Sequence, residues 1–475
     1  MVAVSSFTSL AGVSMPIVAL QLTNLGPFED IALAFDEHVN VFAGPNNSGK
    51  STTLTALGHL IVYPFALPRK LLRQARAAFT IRFVGNNSST KELRGVLPLD
   101  QEAEEEQEAW ENMLQELGFT AFVPALRQST GFRALGAMAP RSTRRATSDE
   151  AQTHGLGKPH NDRPNLSDTL RRRRALFPSN AGLIRDDIAI ESLVELNARA
   201  HAWNDPALHG IIAQVAGITS DVTHGFPMQF LRVVEDEDGL VPLFRTPDGD
   251  VPFNVLSQGT QSVMQWLTYL LAGYAKFYGY PSNLAEQPGV VLIDEIDAHL
   301  HPASQRRIIP ALRHRFPRLQ IFCSTHSPLM LAGLKTSQMQ LLKRDDNGRV
   351  TVSRSETDIV GWSSDEILRG LLGVANPTDL ETDSRIGRLQ ELQRRENLSG
   401  EEAAEIEDLR NAVRQTLFGT PYVAPTPQAR SRIEEPQATL ASAPKAKGAK
   451  KPRAKRGTGK TATAATARRS SRAKT

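Results

Sequence analysis

Gly44-Pro45-Asn46-Asn47-Ser48-Gly49-Lys50-Ser51, followed by Thr52, is the stretch on which the reading of this 475-residue chain turns. It fits the pattern G-x-x-x-x-G-K-[ST], and it stands where that pattern needs to stand. The short apolar run Val39–Phe42 precedes it as a strand, and a helical pattern opens at once behind it. Backbone N–H groups of such a loop, together with the positive end of the helix dipole, wrap a polyphosphate. Lys50 is then expected to reach the β and γ oxygens, and the Ser51 hydroxyl to be a Mg²⁺ ligand. A glycine-rich turn with a chance lysine is the plainer alternative.

Working outward, Val290-Val291-Leu292-Ile293 is a continuous apolar run ending in Asp294-Glu295. That is the form of a parallel strand buried on both faces, with its acids at the ligand edge of the sheet. Asp294 is expected to hold Mg²⁺, directly or through water, and Glu295 to orient and deprotonate an attacking water. Leu256-Ser257-Gln258-Gly259-Thr260-Gln261-Ser262 begins a helix whose apolar face carries Val263, Met264, Leu267, Leu270, Leu271 and Tyr274. Ser257 reads either as an ordinary helix cap or, with Gly259, as part of a second anion site at a helix N-terminus. Asp297-Ala298-His299-Leu300-His301-Pro302 follows, its histidines open to a cap or packing role and short of the partners a metal site needs. The strand Gln320–Ser324 then runs into Thr325-His326-Ser327-Pro328.

Taken in this order, the motifs resemble those of ABC-type ATPases of the SMC, RecF and OLD class. They match the Walker A loop, the signature motif (LSGGQ in transporters), Walker B, the D-loop and the switch histidine. The resemblance spans residues 44 to 328. It implies an α/β fold, an ABC-type P-loop NTPase head in which helices flank a mixed sheet, and it implies ATP and Mg²⁺ as ligands. It further implies a head-to-head dimer or higher oligomer, in which Ser257 and Gly259 meet the γ-phosphate held by the other subunit. Glu295, Lys50 and His326 become the catalytic candidates, and Ser51 and Asp294 the metal ligands. Gln258 and Thr260 depart from the transporter signature in a way familiar among SMC-like ATPases, which argues against a transporter subunit. Single-chain proteins of this kind resemble the ATPase subunits of bacterial anti-phage systems, Septu-like and retron-associated ones included. OLD nucleases place a TOPRIM domain after the switch histidine, but residues 329–420 are too few and lack an acidic cluster for one. A nuclease or other effector is therefore expected as a separate protein. The competing function is an ATP-gated nucleic-acid clamp of RecF or SMC type with little turnover.

Composition is compatible with this reading. Hydrophobic residues make up 40% of the chain and charged residues 22%, and no apolar run approaches the roughly 20 residues of a membrane span. One cysteine excludes an internal disulfide framework, and the N-terminus lacks a secretory signal, so a cytoplasmic protein without membrane contact is expected. The net charge of +4 hides a basic tail. Residues 441–475 carry seven Lys, five Arg and no acid, which leaves the first 440 residues at −8. That tail either touches DNA or RNA phosphates or serves as a flexible solubilising segment, since it has no aromatics to stack bases.

The expected domains are an unstructured start (1–15), an N-terminal lobe with Walker A (16–95), an insertion (96–180), and a C-terminal lobe with signature, Walker B and switch histidine (181–360). A helical extension (361–420) and a disordered basic tail (421–475) complete the chain. Within the insertion, Glu102–Glu116 reads as an acidic helix, and Arg141, Arg144, Arg145 and Arg171–Arg174 make its second half basic and partly disordered. Strands are expected at Ile17–Thr23, Ile31–Phe35 and Ala77–Val84, a turn at Asp346-Asn347-Gly348, and capping boxes at Ser363 with Glu366 and at Ser399 with Glu402. Ser384–Leu417 reads as a helical hairpin, with Ile406, Leu409, Val413 and Leu417 on the inner face of its second arm.

Overall fold

A computed structural model describes residues 16–62, 71–85, 88–97, 104–128, 183–204, 206–223, 226–236, 239–345, 347–374, 378–395 and 399–418. The first fifteen residues, the arginines 141, 144, 145 and 171–174 of the expected insertion, Asp346 and the basic tail lie outside the described residues. The chain divides into two compact units, residues 1–384 and 385–475.

The first unit opens with β1 (Ile17–Leu25), β2 (Phe28–Ala34) and β3 (Val39–Ala43), and the glycine-rich loop then leads into α1 (Lys50–Val62). After it come β4 (Ala77–Val84), β5 (Thr90–Leu97), α2 (Glu104–Leu117), β6 (Phe119–Val123), and the short parallel pair β7 (Leu126–Gln128) and β8 (Leu183–Arg185). Helices α3 (Asp186–Trp203) and α4 (Pro206–Val222) precede β9 (Gln229–Asp236), β10 (Gly239–Thr246), β11 (Gly249–Pro252) and the long helix α5 (Gln258–Phe277). Then come β12 (Gly289–Ile293), α6 (Pro302–Gln305), α7 (Ile308–Arg315), β13 (Leu319–Thr325) and α8 (Pro328–Leu331). β14 (Met339–Arg344), β15 (Val350–Ser353) and α9 (Ser364–Gly370) follow.

The main sheet has the order β15-β14-β3-β13-β12-β6, parallel throughout except for the antiparallel edge strand β15. Its central strands β3, β12 and β13 are buried at every position because both faces are covered. In β12, Val291 and Ile293 enter one core with α3, α4 and α5, while Val290 and Leu292 enter a second core with α1, α2 and the sheet β2-β1-β4-β5. β3 and β13 divide in the same way, with Val41 and Ile321 on one side and Phe42 and Phe322 on the other. Buried amides join the two sheets. Gln320 of β13 donates to the Ile17 and Asp36 carbonyls and accepts from the Ile17 N–H, and Gln340 donates to the Ala34 carbonyl. With its partners in place, such a buried amide links layers without leaving a polar group unsatisfied.

The expected strand at Ala77–Val84 is found as read, whereas the first two elements shift. β1 runs two residues further, to Leu25, and β2 starts at Phe28, because Leu25 pairs directly with Phe28 across a tight Gly26-Pro27 turn. The larger difference concerns residues 96–180. Residues 104–123, expected inside an insertion, build the head itself. α2 buries Trp110, Met113, Leu114 and Leu117 and ties Trp110 Nε1 to the Leu60 carbonyl of α1 at 2.7 Å. β6 then lies parallel to β12 in the main sheet. The acidic residues of α2 hide its core role, since its apolar stripe is narrow and β6 is only five residues long.

The second unit contains the hairpin arms α10 (Leu380–Gln393), which begins just before it, and α11 (Gly400–Phe418). Ile406 is buried and Leu409 and Val413 are half-buried on the inner face, while the Leu417 side chain lies outside the described residues. Arg388 reaches Glu405 at 2.8 Å and Arg395 reaches Glu402 at 2.6 Å across the two arms. Ser399 and Glu402 form the capping contacts at the start of α11, as Ser363 and Glu366 do for α9. Among the described residues no helix is long and apolar enough to cross a membrane.

Candidate functional site

Parallel pairing places the carboxyl ends of β3, β13 and β12 side by side. Ala43 is paired with Thr325, and Cys323 with Ile293, so the residues that follow these strands meet at one edge of the sheet. Those residues are the loop 44–51, Asp294 with Glu295, and His326.

The loop owes its path to a missing side chain. Gly44 has φ +146°, and a Cβ there would lie 2.1 Å from the Leu342 carbonyl oxygen of β14, so no other residue fits. Asn47 adopts φ +61°, a conformation that Asn tolerates better than most residues. Lys50 is folded back into the loop. Its Nζ donates to the Gly44 carbonyl at 2.9 Å and the Pro45 carbonyl at 2.7 Å, and lies 3.5 Å from Ser48 Oγ. Burial pushes the Lys50 ammonium down to about 8, against the opposing pull of Asp294, Glu295 and Asp297. A cation desolvated in this way gains from any anion that enters the loop. Thr52 stands on the first turn of α1 with its methyl toward Gly26.

Asp294 is 6% exposed, and its Oδ1 accepts from the Ser51 hydroxyl at 2.9 Å and from the Ser324 hydroxyl. Ser324 Oγ also accepts the Glu295 N–H at 2.7 Å, so one hydroxyl braces both carboxylate residues. Glu295 itself has φ +47°, a strained conformation for a non-glycine residue and one that clusters at functional sites. The donor set suits Mg²⁺, because a hydroxyl and a carboxylate oxygen converge within hydrogen-bond distance and both are hard oxygen ligands. Exposed His326 follows β13, and partial desolvation, then the charge of Lys50, holds its imidazole below the ordinary histidine value. Asp297 acts electrostatically on Lys50 and His326, which adds a third carboxylate to this edge.

Ser257 and Gly259 sit elsewhere in the chain. Ser257 caps α5, its Oγ accepting the Thr260 N–H at 3.3 Å and lying 2.8 Å from Thr260 Oγ1. The Gln261 amide folds back on the carbonyls of Phe253, Asn254 and Leu256 and fixes the turn that precedes the helix. These residues open onto a cavity of about 530 Å³ whose lining includes Ser257, Gly259, Thr260, His299 and His301 and no residue of the loop 44–51. His301 is a helix cap, its Nδ1 accepting the Ala303 N–H at 3.2 Å, and no cluster of metal-ligating residues is found among the described residues. His299, at φ +64°, turns its carbonyl onto α5, where a Cβ on Gly259 would lie 2.7 Å from the oxygen. Gly259→Ala should therefore displace the His299 turn and cost about 1–3 kcal/mol, as overpacked sites do. Thermal unfolding would register this as a lowered Tm, and an unchanged Tm would show that the turn gives way freely.

Ser324 was not singled out as a site residue in the sequence. Its only signal is a hydroxyl beside a second one, Thr325, at the end of a mostly apolar strand.

This fold, with a glycine-rich loop, two strand-end carboxylates and a strand-end histidine at one sheet edge, is that of an AAA-type ATPase domain. Residues 39–332 match the family described as "AAA domain, putative AbiEii toxin, Type IV TA system", and the chain belongs to that family. It is 30% identical over 141 residues to the "Septu protein PtuA" of Bacillus thuringiensis, a match covering 28% of this chain and 35% of that protein. It is also 47% identical over 91 residues to the "Retron Vc95 probable ATPase" of Vibrio cholerae serotype O1 biovar El Tor, covering 19% of this chain and 18% of that one. The chain thus matches about a third of the first relative and under a fifth of the second. Among solved structures, the SMC head domain from Thermotoga maritima superposes with a TM-score of 0.37 at 14% identity, covering 72% of this chain and all of that one.

Proposed function

We propose that the chain binds Mg²⁺ and ATP at Gly44–Thr52 and Asp294, hydrolyses the nucleotide, and pairs head to head with a second copy. In that pairing Ser257 and Gly259 of each copy complete the site of the other, and the cycle gates a separate effector, a nuclease in anti-phage defence. The observation that carries this reading is the division of the site. The phosphate loop, both carboxylates and His326 share one sheet edge, while the serine-tipped end of α5 opens onto a cavity that the loop does not line.

The chemistry follows from the side chains. Lys50 exchanges the Gly44 and Pro45 carbonyls for β and γ oxygens, which restores a full partner to its desolvated charge. Ser51 and Asp294 would hold Mg²⁺, which when bound neutralises charge on the β and γ oxygens. Glu295 accepts a proton as the water oxygen bonds to the γ-phosphorus. The bond from that phosphorus to the β–γ bridging oxygen breaks, and its electron pair leaves with the ADP oxygen. His326, whose imidazole is held below the ordinary histidine value by partial desolvation and by Lys50, has an N–H to offer the γ-phosphate. The similarity to the Septu and retron proteins supports a separate effector.

Complementation tests the composite site. Ser257→Arg blocks the trans-acting helix tip, and Lys50→Ala disables the loop, so each variant alone should lack ATPase activity. Mixed together they should regain it, because the loop of the first and the helix tip of the second make one intact site. Two folded variants that stay inactive when mixed, from a protein that remains monomeric with ATP, would refute the head-to-head arrangement.

A further inference from the structure

The phosphate loop has an outside as well as an inside. Its outer wall is β14, which lies parallel to β3 and pairs Leu341 with Ala43, the residue just before the loop. The Leu342 carbonyl of that strand fills the place of a Gly44 side chain. Two residues on, at the end of β14, Arg344 turns its guanidinium onto the loop. Its Nε and Nη2 both donate to the Asn47 carbonyl, at 3.2 and 3.0 Å, while Nη1 donates to the Gly348 carbonyl in the β14–β15 turn.

The direction of this contact matters more than its strength. In a planar trans peptide the C=O and the following N–H point opposite ways. An Asn47 carbonyl held outward by Arg344 therefore turns the Ser48 N–H inward, where it already leans on the Pro45 carbonyl at 3.4 Å across the loop. That peptide also carries Asn47, the one non-glycine residue of the loop at positive φ. Only a planar fork anchored at a third point keeps two donors on one oxygen, so lysine is a poor substitute.

We infer that Arg344 is a positioning residue for nucleotide binding, one that sets the orientation of the Asn47–Ser48 peptide so that the Ser48 N–H faces a bound phosphate. The inference rests on the assignment of the loop as the nucleotide site. It assigns Arg344 no contact with the nucleotide. Because the backbone N–H groups of such loops serve the α and β phosphates, ATP and ADP depend on it alike.

The test is equilibrium titration of the full chain with the fluorescent analogues mant-ATP and mant-ADP in the presence of Mg²⁺, beside turnover and nucleotide-free melting. Arg344→Ala should weaken both nucleotides by the same factor, roughly tenfold for the loss of a charge-assisted contact. Its kcat should stay within about twofold of the parent, the effect lying in binding. Arg344→Lys should fall between, and the nucleotide-free Tm should not move. Unchanged affinity in Arg344→Ala, while Lys50→Ala loses binding, would overturn the inference and leave the site assignment standing. Weakened ATP with unaffected ADP would also overturn it, since Arg344 would then be reading the γ-phosphate directly. A lowered Tm that accounts for the affinity loss would reduce Arg344 to a structural brace. Retained affinity in Lys50→Ala would remove the site assignment, and the inference with it.

Discussion

Lys50→Ala should lose nucleotide affinity by at least about a hundredfold, the equivalent of two charge-assisted hydrogen bonds at roughly 1.5–3 kcal/mol each. Burial already depresses the ammonium to about 8, and among the described residues its protons go to the neutral Gly44 and Pro45 carbonyls, with the Ser48 hydroxyl 3.5 Å away. A triphosphate would replace those dipoles with full negative charge in a partly desolvated pocket, so the lysine gains more from the ligand than an exposed one would. Truncation also leaves the Gly44 and Pro45 carbonyls without their donor. Lys50→Met retains most of the apolar stem and isolates the loss of charge. Both variants should bind mant-ATP weakly or not at all, with melting of the free protein as the measure of loop integrity. Parent-like affinity in either would mean that the loop 44–51 is not where nucleotide binds.

The parts of this site that were legible in the sequence share a physical property: each is a buried strand that ends in an unusual group. β3, β12 and β13 are mostly apolar because both faces of the sheet are covered, and glycine, carboxylate and histidine break the pattern where the strands emerge. The face of α5 was legible for a related reason, since Val263, Met264, Leu267, Leu270, Leu271 and Tyr274 are all buried. What escaped were features set by distant partners. β6 carries five residues between an acidic helix and a proline, and only its pairing with β12 makes it part of the main sheet. Ser324 braces Asp294 and Glu295 from 30 and 29 residues away, and Arg344 reaches Asn47 across 297. A local pattern has no access to either contact. The sequence leaves His301 open to a cap or a packing role, and its geometry is that of a cap.

Glu295→Gln should keep ATP bound and stop its turnover, cutting kcat by about a hundred- to ten-thousandfold, the range over which a positioned general base contributes. The substitution is nearly isosteric. It keeps the backbone N–H contact to Ser324 and asks nothing new of the strained conformation at φ +47°. What it removes is the capacity to take a proton from the attacking water, so affinity should stay within a few-fold of the parent. If hydrolysis is what separates the heads, this variant should also accumulate as an ATP-bound dimer, visible as a doubled mass by light scattering that reverses when ADP replaces ATP. Ser257→Arg placed on top of it should return the mass to that of a monomer, because the trapped species needs the helix tip of each copy. The same variant, assayed for cellular function, separates a hydrolytic switch from a clamp in which ATP governs closure alone. A clamp would keep its cellular function in Glu295→Gln, whereas a switch would lose it. Turnover at the parent rate would remove Glu295 from the chemistry, and the neighbouring carboxylate Asp297 would become the group to replace next.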